Sequence, residues 1–473
     1  MKRIVAALLA SAISAGSAQA QAPLRPDQEA FRGLYKELVE TNTTVSSGSC
    51  TLAAERMATR LKAAGFKDEQ LTLFAVPEHP KDGGLVAVYP GTSKKLKPLL
   101  LLAHIDVVEA KRSDWVRDPF TLIEENGYFY GRGTADDKSQ AAIWTDSLIR
   151  FAKDGYKPAR TIKMALTCGE ETSGAFNGAE WLSKNKRDLI DAEFALNEGG
   201  GGLTDGKGPL NGGKLVVQSI QAGEKAYQDF TLTTTNPGGH SSQPLRENAI
   251  YAMADAVTRI RDFEFPLEFN DTTRAFFAKA GSIRPDAMGK AMVALSANPT
   301  DKAAEAVVNT DKMFHSMLRT TCVATLIDGG HALNALPQTV TANVNCRMFP
   351  GRTPDETQAL LARAIGNPAV KIEQRVKDKP IAKAPPMNSP AVATMERLVN
   401  QRWPGVPVIP TMSTGATDAV YLAAVGIPTY GVPGEWGDPD GNGAHGLNER
   451  LEVRSLYEGR DYLFDLVKAL SSK

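Results

Sequence analysis

The sequence predicts an α/β fold, with a mainly parallel-sheet domain interrupted by a smaller, ferredoxin-like α+β domain. Three observations lead there. Short apolar runs at Leu99–His104, 161–167 and 192–196 alternate with helical segments, the signature of strands joined by crossover helices. After a glycine-rich stretch at 199–213 the pattern changes, and 227–235 alternates polar and apolar like a half-exposed antiparallel strand. Between 222 and 377 the order reads strand, helix, strand, strand, helix, strand, which is the split βαβ arrangement. A chain of 473 residues is also too long for one core.

Each element has its own reason. Pro26–Glu40 and 50–65 carry apolar residues at helical spacing, with Leu52, Ala53, Met57 and Leu61 repeating at threes and fours and Gly65 ending the second helix. Leu71–Val76 and 84–89 are strand-like, and Pro90-Gly91 turns the chain into Leu99–His104. A helix is expected at 141–151, and 199–213 is expected to be a flexible loop. In the insertion, strands are expected at 227–235, 321–327, 340–348 and 370–376 and helices at 248–261 and 355–365, while 263–320 reads as helical without a clear place. The first domain resumes with a helix at 390–401, a strand at 407–410, a Gly/Thr turn at 413–418 and a closing helix at 454–470. The expected division is therefore 21–221 with 378–473, and 222–377 inserted between them.

Residues 1–20 have the form of an export signal. Lys2 and Arg3 precede an apolar stretch too short to span a bilayer, and Ala18-Gln19-Ala20 supplies a small-x-small cleavage pattern. Cleavage is expected after Ala20, giving a periplasmic or secreted protein with no membrane anchor. Lys+Arg and Asp+Glu balance at 54 each, so neither nucleic acid nor an anionic membrane is indicated as a partner. Four cysteines are too few for a disulfide scaffold. If 321–327 and 340–348 pair about a turn centred on Asn334, Cys322 faces Cys346, whereas a one-residue slip would leave both as thiols.

Three strand-like runs end in ligand-type residues: His104-Ile105-Asp106, then Cys168-Gly169-Glu170-Glu171, then Asn197-Glu198. Asp136, flanked by a Gly131-Arg132-Gly133 turn, and His445 complete the set. Alone, a His-x-Asp pair also holds turns, and a Glu-Glu pair also sits on solvated loops. Together, two imidazoles and several carboxylates without a thiolate partner suit Zn²⁺, with Mn²⁺ or Co²⁺ as alternatives. The surplus of carboxylates points to two metals sharing a bridging anion. Glu170 and Glu171, adjacent in an extended segment, point opposite ways, so one can ligate while the other serves as general base.

The segments LLLAHIDVV, GRGTADDKS, TCGEETSG, LNEGG, NPGGHSSQP and GNGAHGLNE, collinear from Leu99 onward, resemble the co-catalytic dizinc aminoacylase/carboxypeptidase family. That family includes glutamate carboxypeptidases, carboxypeptidase S, N-acyl-amino-acid deacylases and dipeptidases. The resemblance implies a zinc-hydrolase catalytic domain with an inserted lid and dimerisation domain, two zinc ions per subunit and a homodimer. It implies that His104, Asp136 and Glu198 hold one zinc and that Asp136, Glu171 and His445 hold the other. Asp106 would orient His104, and Glu170 would be the base. From the lid, His240 would stabilise the tetrahedral intermediate across the dimer, while Asn334 and Arg347 would grip a substrate carboxylate. Gly415 would let substrate approach the backbone. The implied activity is hydrolysis of an amide bond next to a free carboxylate, in a small peptide or an N-acyl amino acid. Two alternatives stay open: an aminopeptidase-like hydrolase, or a metal-free binding module. One departure from the family pattern leaves side-chain specificity open, because Asp418 is followed by Ala419 and Val420 where many relatives carry Arg two residues on.

Overall fold

The computed structural model describes residues 23–172, 176–377, 380–381 and 383–472. The expected export signal and the expected boundary at 378 fall outside these. Two main sheets of different character dominate the architecture. The larger has ten strands, with Leu99–His104 at its middle, parallel to both Ile162–Thr167 and Phe194–Asn197. Thr429–Gly431 continues the parallel run beside Phe194–Asn197. The hairpin Leu71–Val76/His79–Tyr89 closes one side antiparallel. Leu99–His104 and Ile162–Thr167 are buried at every position, which explains why they read as unbroken apolar runs rather than alternating ones. Helices Pro26–Glu40, Cys50–Ala63, Lys138–Lys153 and Val453–Ser471 cover the sheet and close a core around Trp144, Leu101 and Leu466.

The smaller sheet runs Thr321–Gly329, Thr339–Met348, Ala226–Thr235, Lys371–Gln374, all antiparallel. That is the expected ferredoxin-like order. Ala226–Thr235 alternates buried and half-buried residues, and Phe230 and Leu232 face helices Ala249–Asp262 and Pro354–Ile365. The expected register holds at the cysteines: Cys322 lies opposite Cys346 and is bonded to it. The bulge in that pair of strands comes later, between Ala324 and Leu326, and does not disturb the pairing.

Four differences from the sequence expectations have physical causes. The stretch 199–213 is not simply a loop, because Gly201–Thr204 is a strand paired antiparallel with Leu215–Glu224. Its ladder is made by backbone groups, which glycine-rich composition does not forbid. A small three-stranded sheet, Ile123–Glu125, Tyr128–Tyr130 and Arg450–Glu452, was too short to show a period. The region 263–320 forms helices Asp271–Ser282, Ala287–Ala297, Lys302–Val308 and Lys312–Met317, and their apolar residues Phe277, Met292 and Leu295 cluster with Ile409 and Met412. Although inserted with the smaller sheet, these helices thus pack on the strand Val408–Ser413 of the larger one. Finally, a second disulfide, Cys50–Cys168, joins residues 118 apart in sequence, a pairing no local pattern could signal.

Candidate metal centre

The ligand-type residues meet where the parallel strands end. His104 closes its strand in register with Thr167, three residues before Glu170. Its ring is buried, with Nδ1 3.1 Å from the Asp106 carbonyl and 3.6 Å from the Asp106 carboxylate. His104 Nε2 faces Asp136 Oδ1 at 3.1 Å and Glu198 Oε2 at 3.8 Å. The other oxygen of the same carboxylate, Asp136 Oδ2, lies 3.1 Å from His445 Nε2, which is itself 2.8 Å from Glu171 Oε2. Asp136 therefore stands between the two imidazoles with one oxygen turned to each. Glu170 and Glu171 part company: one donor atom each of His104, Glu170 and Glu198 lie within 4.8 Å of one another, while Glu171 reaches His445.

Asp106 does more than face His104. Its carboxylate accepts the backbone N–H of Glu170 at 3.4 Å and of Glu171 at 3.1 Å, so it also sets the acidic turn. The Cys50–Cys168 disulfide lies against the same carboxylate, with both sulfurs within 4.8 Å of it.

A further pair, which sequence reasoning missed, joins the two loops that carry Asp136 and His445. Glu449 is fully buried and accepts N–H groups from Gly133, Ala135 and Asp136. Its Oε2 also takes Arg132 Nη1 at 2.7 Å, and Arg132 Nη2 reaches the Gly446 carbonyl beside His445. The signal was present, since Arg132 and Glu449 lie inside two of the motif segments, but neither is a metal-ligand position. His445 itself is held at φ 58°, a conformation costly for a non-glycine residue outside a constrained turn.

The charges fit a pair of divalent cations. Burial pushes Glu170 up to about 8 and Glu171 up to about 7, and it carries Glu198 well above the usual carboxylate range. His445 is raised to about 9, chiefly by its hydrogen bond to Asp136. Burial opposes the charged form of His104, yet Glu198, Asp106 and Asp136 together raise it. The imidazoles are being made to serve as the cations of an acid-rich cluster. The donor set, oxygen and imidazole nitrogen without free thiolate, is one that binds zinc-like metals.

The insertion residues make contacts of their own. Gly239–His240 pairs with Ala335–Leu336, and Asn334 O accepts the Ser241 N–H, so His240 and Asn334 share one exposed corner. His240 Nδ1 lies 2.8 Å from Ser242 Oγ. Arg347 sits near the far end of Thr339–Met348, roughly 27 Å along the strand from Thr339 at ~3.4 Å per residue. Its guanidinium lies over the Tyr227 ring, 4.9 Å from the centroid. Among the described residues, none of the contacts that tie the candidate ligand cluster together involves His240, Asn334 or Arg347. Gly415 follows the strand Val408–Ser413, and a Cβ there would meet only Ser413 Oγ at 3.4 Å, leaving open space over the backbone.

The chain has counterparts among known proteins. The sequence profile of peptidase family M20/M25/M40 matches residues 100–469. The N-fatty-acyl-amino acid synthase/hydrolase PM20D1 of Xenopus tropicalis is 29% identical over 370 residues, covering 77% of this chain and 71% of that one. The M20 family metallo-carboxypeptidase Sso-CP2 from Sulfolobus solfataricus superposes with a TM-score of 0.66 at 20% identity, covering 94% of this chain and 99% of that one. The Bacillus subtilis protein YXEP, a dinuclear metal binding peptidase, superposes with a TM-score of 0.60 at 11% identity, covering 94% and 98%.

Proposed function

The chain belongs to peptidase family M20/M25/M40 and is an enzyme of the metallopeptidase and amidohydrolase class, and from that premise we propose that it cleaves amide bonds adjacent to a free carboxylate. Its substrates are small peptides or N-acyl amino acids, and its metals are two zinc ions. The observation that carries the reading is the Asp136 carboxylate, with one oxygen 3.1 Å from His104 and the other 3.1 Å from His445. A carboxylate so placed would serve two ions at once. His104, Asp136 and Glu198 would hold one ion, and Asp136, Glu171 and His445 the other. When bound, the two cations would polarise the scissile carbonyl and acidify the attacking water.

The remaining roles belong to side chains. Glu170, grouped with His104 and Glu198 but not needed by His445, takes the proton of the attacking water and returns it to the leaving amine. Asp106 fixes both His104 and the turn that presents Glu170 and Glu171. Arg347 offers a guanidinium, the donor geometry that matches a carboxylate, and Gly415 leaves room for the substrate backbone. Two disulfides support export to an oxidising compartment, and no helix among the described residues is long and apolar enough to cross a membrane.

The same proposal includes a homodimer in which His240 completes the partner's site. Mixing His240→Ala with Glu170→Gln protein under subunit exchange should restore activity toward about a quarter of wild type, because each mixed dimer then holds one intact site. No recovery despite exchange would place His240 in its own subunit's site or outside catalysis. The substrate class is tested by assaying metal-loaded protein on N-acyl amino acids and dipeptides with free or amidated C-termini. Cleavage confined to free carboxylates is expected, together with about two equivalents of zinc. Equal cleavage of the amides would refute the carboxylate requirement.

A further inference from the structure

The chain passes from the larger sheet to the smaller one at Glu224 and Lys225. Glu224 ends the strand Leu215–Glu224, and Ala226 begins the central strand Ala226–Thr235 of the other sheet. Both charged side chains are buried at this crossing, with Glu224 3% exposed and Lys225 fully covered. A buried carboxylate or ammonium needs specific partners, and the two find theirs in opposite directions. Lys225 Nζ donates to Ser316 O, Ser316 Oγ and Thr321 Oγ1, which begins the edge strand of the smaller sheet. Glu224 Oε2 accepts from the Thr417 backbone N–H at 3.0 Å and from Thr417 Oγ1 at 2.9 Å, reaching into the turn after Val408–Ser413.

That turn is the one with open space at Gly415. It is also tied to the metal centre. Asn197, which precedes Glu198, donates through Nδ2 to Thr417 Oγ1 at 3.2 Å, so Thr417 relays between Glu224 and the end of a ligand-bearing strand. Asp418 accepts from Thr167 Oγ1 and Asn177 Nδ2, anchoring the turn to the strand that leads into Glu170. Glu224 and Glu198 line one small cavity of about 20 Å³. The crossing is also joined to the turn through its backbone, since Lys225 N–H donates to Ser413 O at 3.1 Å. Gly223 just before it has φ 120°, and the paired strand is bulged between Thr411 and Ser413, so this is where the backbone can absorb a change of angle.

We propose that Glu224 is a positioning residue that sets the substrate-facing turn 413–418 from the crossing between the two sheets. A carboxylate is suited to this because one oxygen holds both the N–H and the hydroxyl of Thr417, which fixes the turn in position as well as in orientation. The link runs from the setting of the smaller sheet, through Lys225 and Glu224, to Thr417 and Asn197. It explains why an acid is buried at a crossing where an apolar residue would be easier to accommodate.

The inference rests on the reading of 413–418 as a substrate wall, so its test has an arm that does not need turnover. Hydrogen exchange of metal-loaded protein should show the amides of 413–421 exchanging at least about tenfold faster in Glu224→Ala, because Thr417 loses the acceptor of both its N–H and its hydroxyl. The strands Leu99–His104 and Ile162–Thr167 should exchange as in wild type, and the metal content should be unchanged. With a free-carboxylate substrate, KM should rise about tenfold while kcat stays within about threefold, the pattern of a lost binding geometry rather than lost chemistry. Glu224→Gln, which keeps an oxygen to accept both Thr417 donors, should recover most of both effects. Unchanged exchange in 413–421 would overturn the proposal. So would metal loss or faster exchange throughout the larger sheet, because Glu224 would then be a general support of the fold. If the wild type cleaved no free-carboxylate amide, the proposed function would fail and the exchange arm would still decide this inference.

Discussion

Glu449→Gln is the substitution that tests whether the candidate metal centre is held from behind. The change is nearly isosteric, so packing is preserved and only the charge and one acceptor are removed. If the amide oxygen keeps the Ala135 and Asp136 N–H groups, the amide nitrogen is left facing Gly133 N–H and Arg132 Nη1, which are both donors. Two hydrogen bonds to a charged group are lost at about 1.5–3 kcal/mol each, about 3–6 kcal/mol together, and a buried guanidinium also loses its counter-charge. Part of that cost falls on the site, because Arg132 also holds Gly446, next to His445. The spacing of 3.1 Å between Asp136 and His445 is then no longer enforced. Competition against a chelator should show metal affinity reduced by about 10–100-fold, the range for losing a group that orients ligands. Urea unfolding of the metal-free protein should show the stability loss directly, and Trp115, whose ring lies 5.0 Å from the Arg132 guanidinium, provides a local signal. A variant within about 1 kcal/mol of wild type, with unchanged metal affinity, would refute the reasoning.

Three other outcomes follow from the same geometry. Glu170→Gln should lower kcat by at least ~10²-fold while metal content is retained; metal loss together with activity would make Glu170 a ligand. Thiol titration of the unfolded, unreduced protein should find no free thiol, since Cys50 is bonded to Cys168 and Cys322 to Cys346, and titratable thiols would remove one or both pairs. Burial lowers Lys225 to about 7 from 10.5, so between those values the unfolded chain holds a proton that the folded one has released, and stability rises with pH. Comparing the pH dependence of unfolding in wild type and Lys225→Met isolates this contribution, up to ~1.4 kcal/mol per pH unit across that window. Identical slopes in the two proteins would show that Lys225 keeps its proton when folded.

Three of the proposed metal-ligand residues, His104, Glu171 and Glu198, were legible because each sits at or just beyond a strand end that announces itself. Leu99–His104 is an apolar run long enough to be a strand, and a parallel strand buried on both faces must deliver its last residues to one edge of the sheet. Once three such strands lie side by side, His104, Glu170, Glu171 and Glu198 are neighbours whatever the loops do. The ferredoxin-like unit was legible for a similar reason, since its strands alternate and fix their own register, down to Cys322 opposite Cys346. What was not legible depends on partners distant in sequence. Glu449 meets Gly133 across 316 positions and Thr417 meets Glu224 across 193, and in neither case does local spacing carry a sign of the other. Gly201–Thr204 was hidden for the opposite reason: backbone pairing alone makes it a strand, and its glycines erase the side-chain pattern that would have marked it.

Glu449 and Glu224 share with Asp106 a feature that separates them from the proposed metal-ligand set. His104, Asp136, Glu171, Glu198 and His445 face one another across a small space, and any one of them could be recognised by its chemistry. Asp106, Glu449 and Glu224 are carboxylates of the same kind, but each accepts backbone N–H groups from a turn that carries a site residue: Glu170 and Glu171 for Asp106, Asp136 for Glu449, Thr417 for Glu224. A carboxylate that accepts backbone donors fixes a turn more tightly than apolar packing does, because both the distance and the direction of the bond are constrained. The larger sheet supplies rigid strand ends, but Asp136, His445 and Gly415 lie on turns beyond it and need holding of their own. The cost of burying three further acids beside an already acid-rich centre is the price of building a site on loops, and it is why removing any of these acids should disturb geometry before it disturbs the fold.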